Sequence, residues 1–225
     1  MDLAAILSAL DDHYLDAQAR APAGPPSSDP FELVLWENVA YLLDDSKRLK
    51  AFDALRQQVG LTPEAIADAS EQALFAVAKL GGMEPERRVA TWRLIASIAL
   101  QLGDLAAVAR QPFKTARRAF QKFPSLGEPG AEKVLLFCGA HATLPLESNG
   151  LRVLVRLGFG EEARSYSTTY RSVRAALGPL PADSRWLIHA HQQLRRHGQE
   201  LCRRTAPDCA PCPLRPTCAY YRTQR

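Results

Sequence analysis

Apolar positions recur along the chain at helical spacing, with no stretch of strand-like alternation. Pro85–Leu102 reads as a long helix with Val89, Trp92, Leu94, Ile95 and Ile98 inside. Phe31–Leu43 is apolar on most sides and predicts a buried central helix. Asp44, Asp45 and Ser46 can cap a helix over Lys47–Gly60. Thr62-Pro63-Glu64 is a helix start, and Ser70 opens a short helix that stops at Gly81-Gly82. Residues 111–139 give helix, tight turn and helix, the turn at Phe123–Gly127 and the second helix starting near Pro129. Asn149–Leu157, Ser165–Leu177 and Asp183–Gly198 supply further helices, and Met1–Asp16 a short amphipathic one. Ala21–Pro30, rich in Pro, Gly and Ser, is a linker. About ten helices, no strand and no internal repeat predict an all-α protein.

Composition changes this picture little. At 225 residues the chain has room for one large domain or two small ones, with a core that needs no disulfides. The net charge of +4 is compatible with a polyanionic partner without requiring one. No basic leader precedes Asp2, Asp11 and Asp12, and no apolar run approaches the roughly 20 residues a membrane span needs. A cytoplasmic protein with no membrane partner is expected.

The distinctive chemistry lies near the C-terminus. Cys138 stands alone in an apolar run and reads as a buried core residue, whereas Cys202, Cys209, Cys212 and Cys218 fall together. In a reducing compartment such a cluster more often binds metal than forms disulfides. Gaps of six, two and five residues separate the four, and Pro207, Pro211, Pro213 and Pro216 stiffen the wrap. Zinc sites usually pair two C-x2-C knuckles, and this run has one. A [4Fe–4S] cube is larger than one ion and suits unequal gaps. Spacing alone leaves both open.

With His197-Gly198 and a helix ahead of it, this run resembles the iron–sulfur loop of the endonuclease III family and its adenine-glycosylase relatives, helix-hairpin-helix proteins of DNA repair. The resemblance implies a structural [4Fe–4S] cluster on Cys202, Cys209, Cys212 and Cys218, with Arg203 and Arg204 presented to DNA phosphates. Phe123-Pro-Ser-Leu-Gly127 resembles the family's hairpin, where backbone N–H groups at a helix start hold a phosphate and fix register without reading sequence. Ser125, Leu126, Gly127 and Gly130 are the expected contacts. Gly127 supplies the backbone freedom, and Ser125 stands where a second glycine is usual. A Pro-x-x-Gly turn is commonplace, but this one lies about 75 residues before the cysteine loop, as the family reading requires. Lys114, Arg117, Arg118 and Lys122 read either as a phosphate-facing stripe or as a solvated face.

Pro30-Phe31-Glu32-Leu33, Thr62-Pro63-Glu64-Ala65 and Leu151-Arg152-Val153 extend the likeness from about residue 29 onward. The implied fold is all-α and two-lobed, with DNA across a cleft. A six-helix barrel domain with the hairpin occupies 29–141, and a discontinuous cluster domain occupies 1–28 and 142–225. The implied partner is DNA, a lesion-bearing duplex or a single strand, met by a monomer associated with the nucleoid.

The resemblance also places the chemistry. Such enzymes flip a damaged base out of the stack and break its glycosidic bond. The family's lysine, which forms a Schiff base with C1′, stands two residues past the hairpin's last glycine, here Pro129. Its carboxylate lies eighteen further on, here Glu147. Proline has no amine, so the Schiff-base route is closed at that position. Glu147 is the candidate catalytic carboxylate, against the plainer reading of a helix cap. Lys133, one turn or about 5.4 Å beyond Pro129, is the candidate substitute amine, against a solvated or ion-paired lysine. Leu42 replaces the glutamine that fills the gap left by a flipped base, and Met83 is either an intercalating wedge or a core residue. His189, His191 and His197 share one helix and read as structural or phosphate-facing. The expected activity is N-glycosylase with weak AP-lyase action at most. The alternative is a catalytically silent DNA-binding protein.

Overall fold

The computed structural model describes residues 2–15 and 24–224, so Met1, Asp16 and the first part of the expected linker, residues 21–23, lie outside the described residues. Among the described residues there are thirteen α-helices and no strand. Among the described residues no helix is long and apolar enough to cross a membrane. The chain divides into two compact units: Met1–Pro22 with Leu144–Arg225, and Ala23–Thr143.

The second of these units holds eight α-helices, and most begin on a short polar side chain that accepts a hydrogen bond from an otherwise unpaired backbone N–H. Asp29 caps α2 (Pro30–Asn38), Asp44 caps α3 (Asp45–Gln58) and Thr62 caps α4 (Pro63–Asp68). Ser70 caps α5 (Glu71–Ala78), which runs into a 3-10 turn at Lys79–Gly81. After α6 (Pro85–Leu102) come α7 (Leu105–Ala109), α8 (Phe113–Phe120) and α9 (Glu128–Phe137). With the short α1 described below among them, these names follow chain order. Phe31, Leu35, Phe52, Ile66, Leu74, Trp92, Ile95, Phe120 and Leu135 form one buried core. Cys138 is only half-buried and packs against the edge of that core.

The helix expected over Phe31–Leu43 ends at Asn38. There the Asn38 side chain donates to Val34 O at 3.0 Å and to Pro124 O at 3.2 Å, turning the end of α2 toward the hairpin. Leu42 then adopts a left-handed φ of 55° and stands out into solvent.

The discontinuous unit contains α1 (Leu3–Tyr14), α10 (Ser148–Leu157), α11 (Tyr166–Leu177), α12 (Ser184–Glu200) and a short α13 (Ala219–Thr223). The helix α12 packs on α10 and α1, joining the two ends of the chain. A Cβ on Gly198 would lie 2.6 Å from Asn149 O, so α10 and α12 cross where only glycine fits.

Candidate functional site

The cysteine loop has little regular structure and is held by two arginines one turn apart on α10. The Arg152 guanidinium donates to Cys202 O (2.9 Å), Gly198 O (2.7 Å) and Asn149 Oδ1 (2.8 Å). Burial holds its pKa below the ordinary arginine value, with Cys202 opposing the shift. Arg156 donates to Arg203 O (2.8 Å), Arg204 O (3.1 Å) and Cys202 Sγ (3.3 Å), and rests on the Tyr220 ring. Irregular carbonyls that would otherwise face an apolar interior are thus turned onto cations.

The four cysteines are free thiols that line one cavity of about 390 Å³, measured out to its mouth, together with Leu157, His197, Leu214 and Tyr221. Among the described residues no three His, Cys, Asp or Glu side chains are set to share a single metal ion. The donors are all soft sulfur, and Arg156 places a positive charge against one of them. That set fits a polynuclear iron–sulfur centre better than one zinc ion. Burial pushes the Cys212 thiol up to about 11, so a metal held there would have to displace the proton.

The three histidines of α12 have internal partners. His189 Nε2 lies 2.8 Å from Asp11 Oδ1, and His191 Nδ1 lies 2.8 Å from Pro145 O. His197 is buried between Tyr14 Oη (3.2 Å) and Cys212 Sγ (3.5 Å), and burial pushes its pKa down to about 4. Of the two loop arginines, Arg203 turns back onto Glu200 O and Ala206 O, while Arg204 is exposed.

Glu147 is the N-cap of α10. Its Oε1 accepts from the Gly150 N–H at 2.8 Å and its Oε2 from Asn149 Nδ2 at 2.9 Å. The preceding carbonyl, Leu146 O, accepts from Tyr166 Oη. Burial and then the nearby Glu147 charge raise the Tyr166 pKa, so the phenol stays protonated beside the carboxylate.

In the hairpin, Phe123 and Leu126 are buried in the core and pin the turn between α8 and α9. The left-handed residue is Ser125, at φ 63°, whereas Gly127 sits at φ −68°. The expected role of Gly127 is therefore corrected: the conformation there is open to any residue. What Gly127 leaves is bare backbone, because a Cβ there would meet only Pro129 Cδ at 3.9 Å. No side chain caps α9, whose second residue is Pro129. Gly130 lets Leu126 approach closely, with 3.4 Å to an added Cβ.

Lys133 Nζ lies 2.7 Å from Glu37 Oε1, with side chains 14 and 21% exposed. Arg117 is likewise taken up by Glu128 and Glu132, which removes it from the proposed phosphate-facing stripe. Glu37, Asn38, Tyr41, Met83, Arg87 and Ser125 line one surface pocket. Tyr41 and Met83 at its rim are each 62% exposed, and Leu42 beside them is 75% exposed. Met83 is therefore no core residue. The loop that carries it is fixed by the buried Arg88, which donates to Ala78 O (2.8 Å) and Met83 O (3.0 Å).

No family model matches the chain. It is 29% identical over 160 residues to endonuclease III of Rickettsia conorii, covering 71% of this chain and 70% of that one. To endonuclease III of Sulfolobus acidocaldarius it is 26% identical over 178 residues, covering 79 and 76%. Its fold matches a trapped endonuclease III–DNA covalent intermediate with a TM-score of 0.74 at 19% identity, over 100% of this chain and 99% of that one. The chain is similar to endonuclease III proteins in sequence and shares their fold.

Within this endonuclease III relative, the structure gathers the four cysteines at one cavity and brings Ser125 and Met83 to one pocket. Glu147 and Lys133 lie in different units, each with its own partners. Sequence reading missed Glu37, Tyr41 and the fastening arginines Arg88, Arg152 and Arg156. Only Tyr41, an aromatic at the end of an apolar run, left a local signal. The partners of Glu37, Arg152 and Arg156 are distant in sequence.

Proposed function

We propose that the chain is a DNA N-glycosylase of base-excision repair that acts without a lysine nucleophile. The observation that carries this reading is the state of α9: Pro129 has no amine, and the Lys133 ammonium is committed to Glu37. Attack at C1′ then falls to water, assisted by Glu147. The uncapped start of α9 and the bare backbone at Gly127 are suited to hold a phosphate, and Arg204 adds charge to the backbone contact. Leu42, Met83 and Tyr41 offer apolar surface to the gap left when a base is flipped from a lesion-bearing duplex. The Glu147 carboxylate stabilises positive charge developing on the sugar. Cys202, Cys209, Cys212 and Cys218 would hold a [4Fe–4S] cluster, which supplies a rigid cross-link for the loop that carries Arg203 and Arg204. We take the protein to act as a monomer.

One observation favours a second reading. Both Glu147 oxygens are already used in capping α10, as in a silent DNA-binding protein that keeps the fold. A gel assay separates the two, using duplex and single-stranded oligonucleotides with oxidised pyrimidines, an abasic site or a mismatched adenine. Each is run with and without hot alkali, for wild type and Glu147→Gln. Alkali-dependent cleavage that falls about 100-fold or more in the variant is expected. Binding with no cleavage in either protein would leave only the silent reading.

A further inference from the structure

Tyr14 ends α1, His197 lies in the last turn of α12, and Cys212 sits in the cysteine loop. They form a continuous chain: Tyr14 Oη to His197 Nδ1 at 3.2 Å, then His197 Nε2 to Cys212 Sγ at 3.5 Å. Tyr14 and His197 are buried, at 5 and 1% exposure, and the Arg196 guanidinium covers the Tyr14 ring at 4.1 Å. The imidazole has two neighbours and, when neutral, one proton. A thiol at Cys212 can donate to Nε2, leaving Nδ1–H to face the tyrosine oxygen. A thiolate bound to iron has no proton to give, so Nε2 must donate, and Tyr14 must then donate to Nδ1.

We propose that Tyr14 and His197 are positioning residues for the cluster: the tyrosine hydroxyl selects the Nε2–H tautomer, and that N–H donates to the Cys212 thiolate. This rests on the iron–sulfur reading above. An N–H donor at a ligating sulfur favours the state with more negative charge on it, the reduced one. Removing the donor therefore lowers the reduction potential, and the N-terminal helix contributes to the electronics of the cluster through one hydroxyl.

The test uses purified full-length protein with iron content, voltammetry and ¹⁵N NMR of the imidazoles. Wild type should contain about four irons per chain and show His197 as Nε2–H. His197→Met should keep its iron but shift to lower potential and lose iron faster to a chelator. His197→Gln, whose amide N–H2 can stand in for Nε2–H, should restore most of the potential. Tyr14→Phe should shift it in the same direction, by less, with mixed imidazole tautomers. Unchanged potentials in iron-loaded Tyr14→Phe and His197→Met, or Nδ1–H in loaded wild type, would overturn the relay. A wild type without iron would instead overturn the cluster reading beneath it.

Discussion

Two irregular loops in this molecule are fastened by arginine, and on the iron–sulfur reading only one of them is finished by protein atoms. In the unit that carries the hairpin, the buried Arg88 gathers Ala78 O, Gly82 O and Met83 O. Gly81 packs so tightly beneath it that an added Cβ would fall 2.2 Å from Val39 O. In the discontinuous unit, Arg152 and Arg156 gather Gly198 O, Cys202 O, Arg203 O and Arg204 O in the same manner. There, however, four thiols line one cavity, with Arg156 against Cys202 Sγ and His197 against Cys212 Sγ, and the proposed cluster would join all four. On the iron–sulfur reading proposed above, the same device yields one loop stable in itself and one whose stability is conditional on the cluster. The first presents the apolar Met83 and needs a fixed shape. The second presents Arg203 and Arg204 and, on the same reading, would get its rigidity from the cluster as a cross-link.

The largest effect should come from removing that cross-link. Chelation of iron, or Cys212→Ser, is expected to strip hydrogen-exchange protection from residues 197–218 and to lower the melting temperature of the discontinuous unit. Amides of α6 should keep their protection, because nothing in the core around Trp92 depends on the cysteines. Equal loss of protection in both units would erase the distinction between the two loops.

Arg88→Met comes next. It leaves several part-buried carbonyls without a donor, at a cost of about 2–3 kcal/mol. Thermal unfolding should show that cost undiminished in iron-free protein, since the loop it fastens has no metal in it. A cost that vanishes on iron removal would mean that the Met83 loop too depends on the cysteine loop.

What could be read from the chain follows the same division between local and distant causes. Helix starts at Asp44, Thr62, Ser70, Ser165 and Asp183 were legible because each cap bonds a backbone N–H two or three residues on. The cysteine spacing was legible because all four thiols sit on one short loop. The early end of α2 was not, since Asn38 finds Pro124 O across 86 residues. Nor was the commitment of Lys133 to Glu37, which decides whether that lysine is available as an amine. The five-residue helices α7 and α13 are too short for periodicity to register. In the hairpin the composition misled: the glycine drew the expectation of a left-handed residue, and the tertiary fold placed that conformation on the serine.

The smallest expected effect tests the comparison most finely, because each region contains a non-glycine residue in the left-handed region. Ser125 has φ 63° in the hairpin and Ala206 φ 51° in the cysteine loop. Such a residue costs about 1 kcal/mol relative to glycine, and glycine returns part of the gain through its freer unfolded chain. Ser125→Gly should therefore raise stability by about 0.5 kcal/mol, with or without iron, because Phe123 and Leu126 hold the turn in the core. Ala206→Gly should give the same gain only in iron-loaded protein. Once the cross-link is gone the loop can relax the strained residue without substitution, and only the entropic loss remains. Urea titration of both variants, loaded and unloaded, measures the four values. A gain at Ala206 that persists without iron would show that Arg152 and Arg156 alone fix the cysteine loop, and that the two loops are finished in the same way.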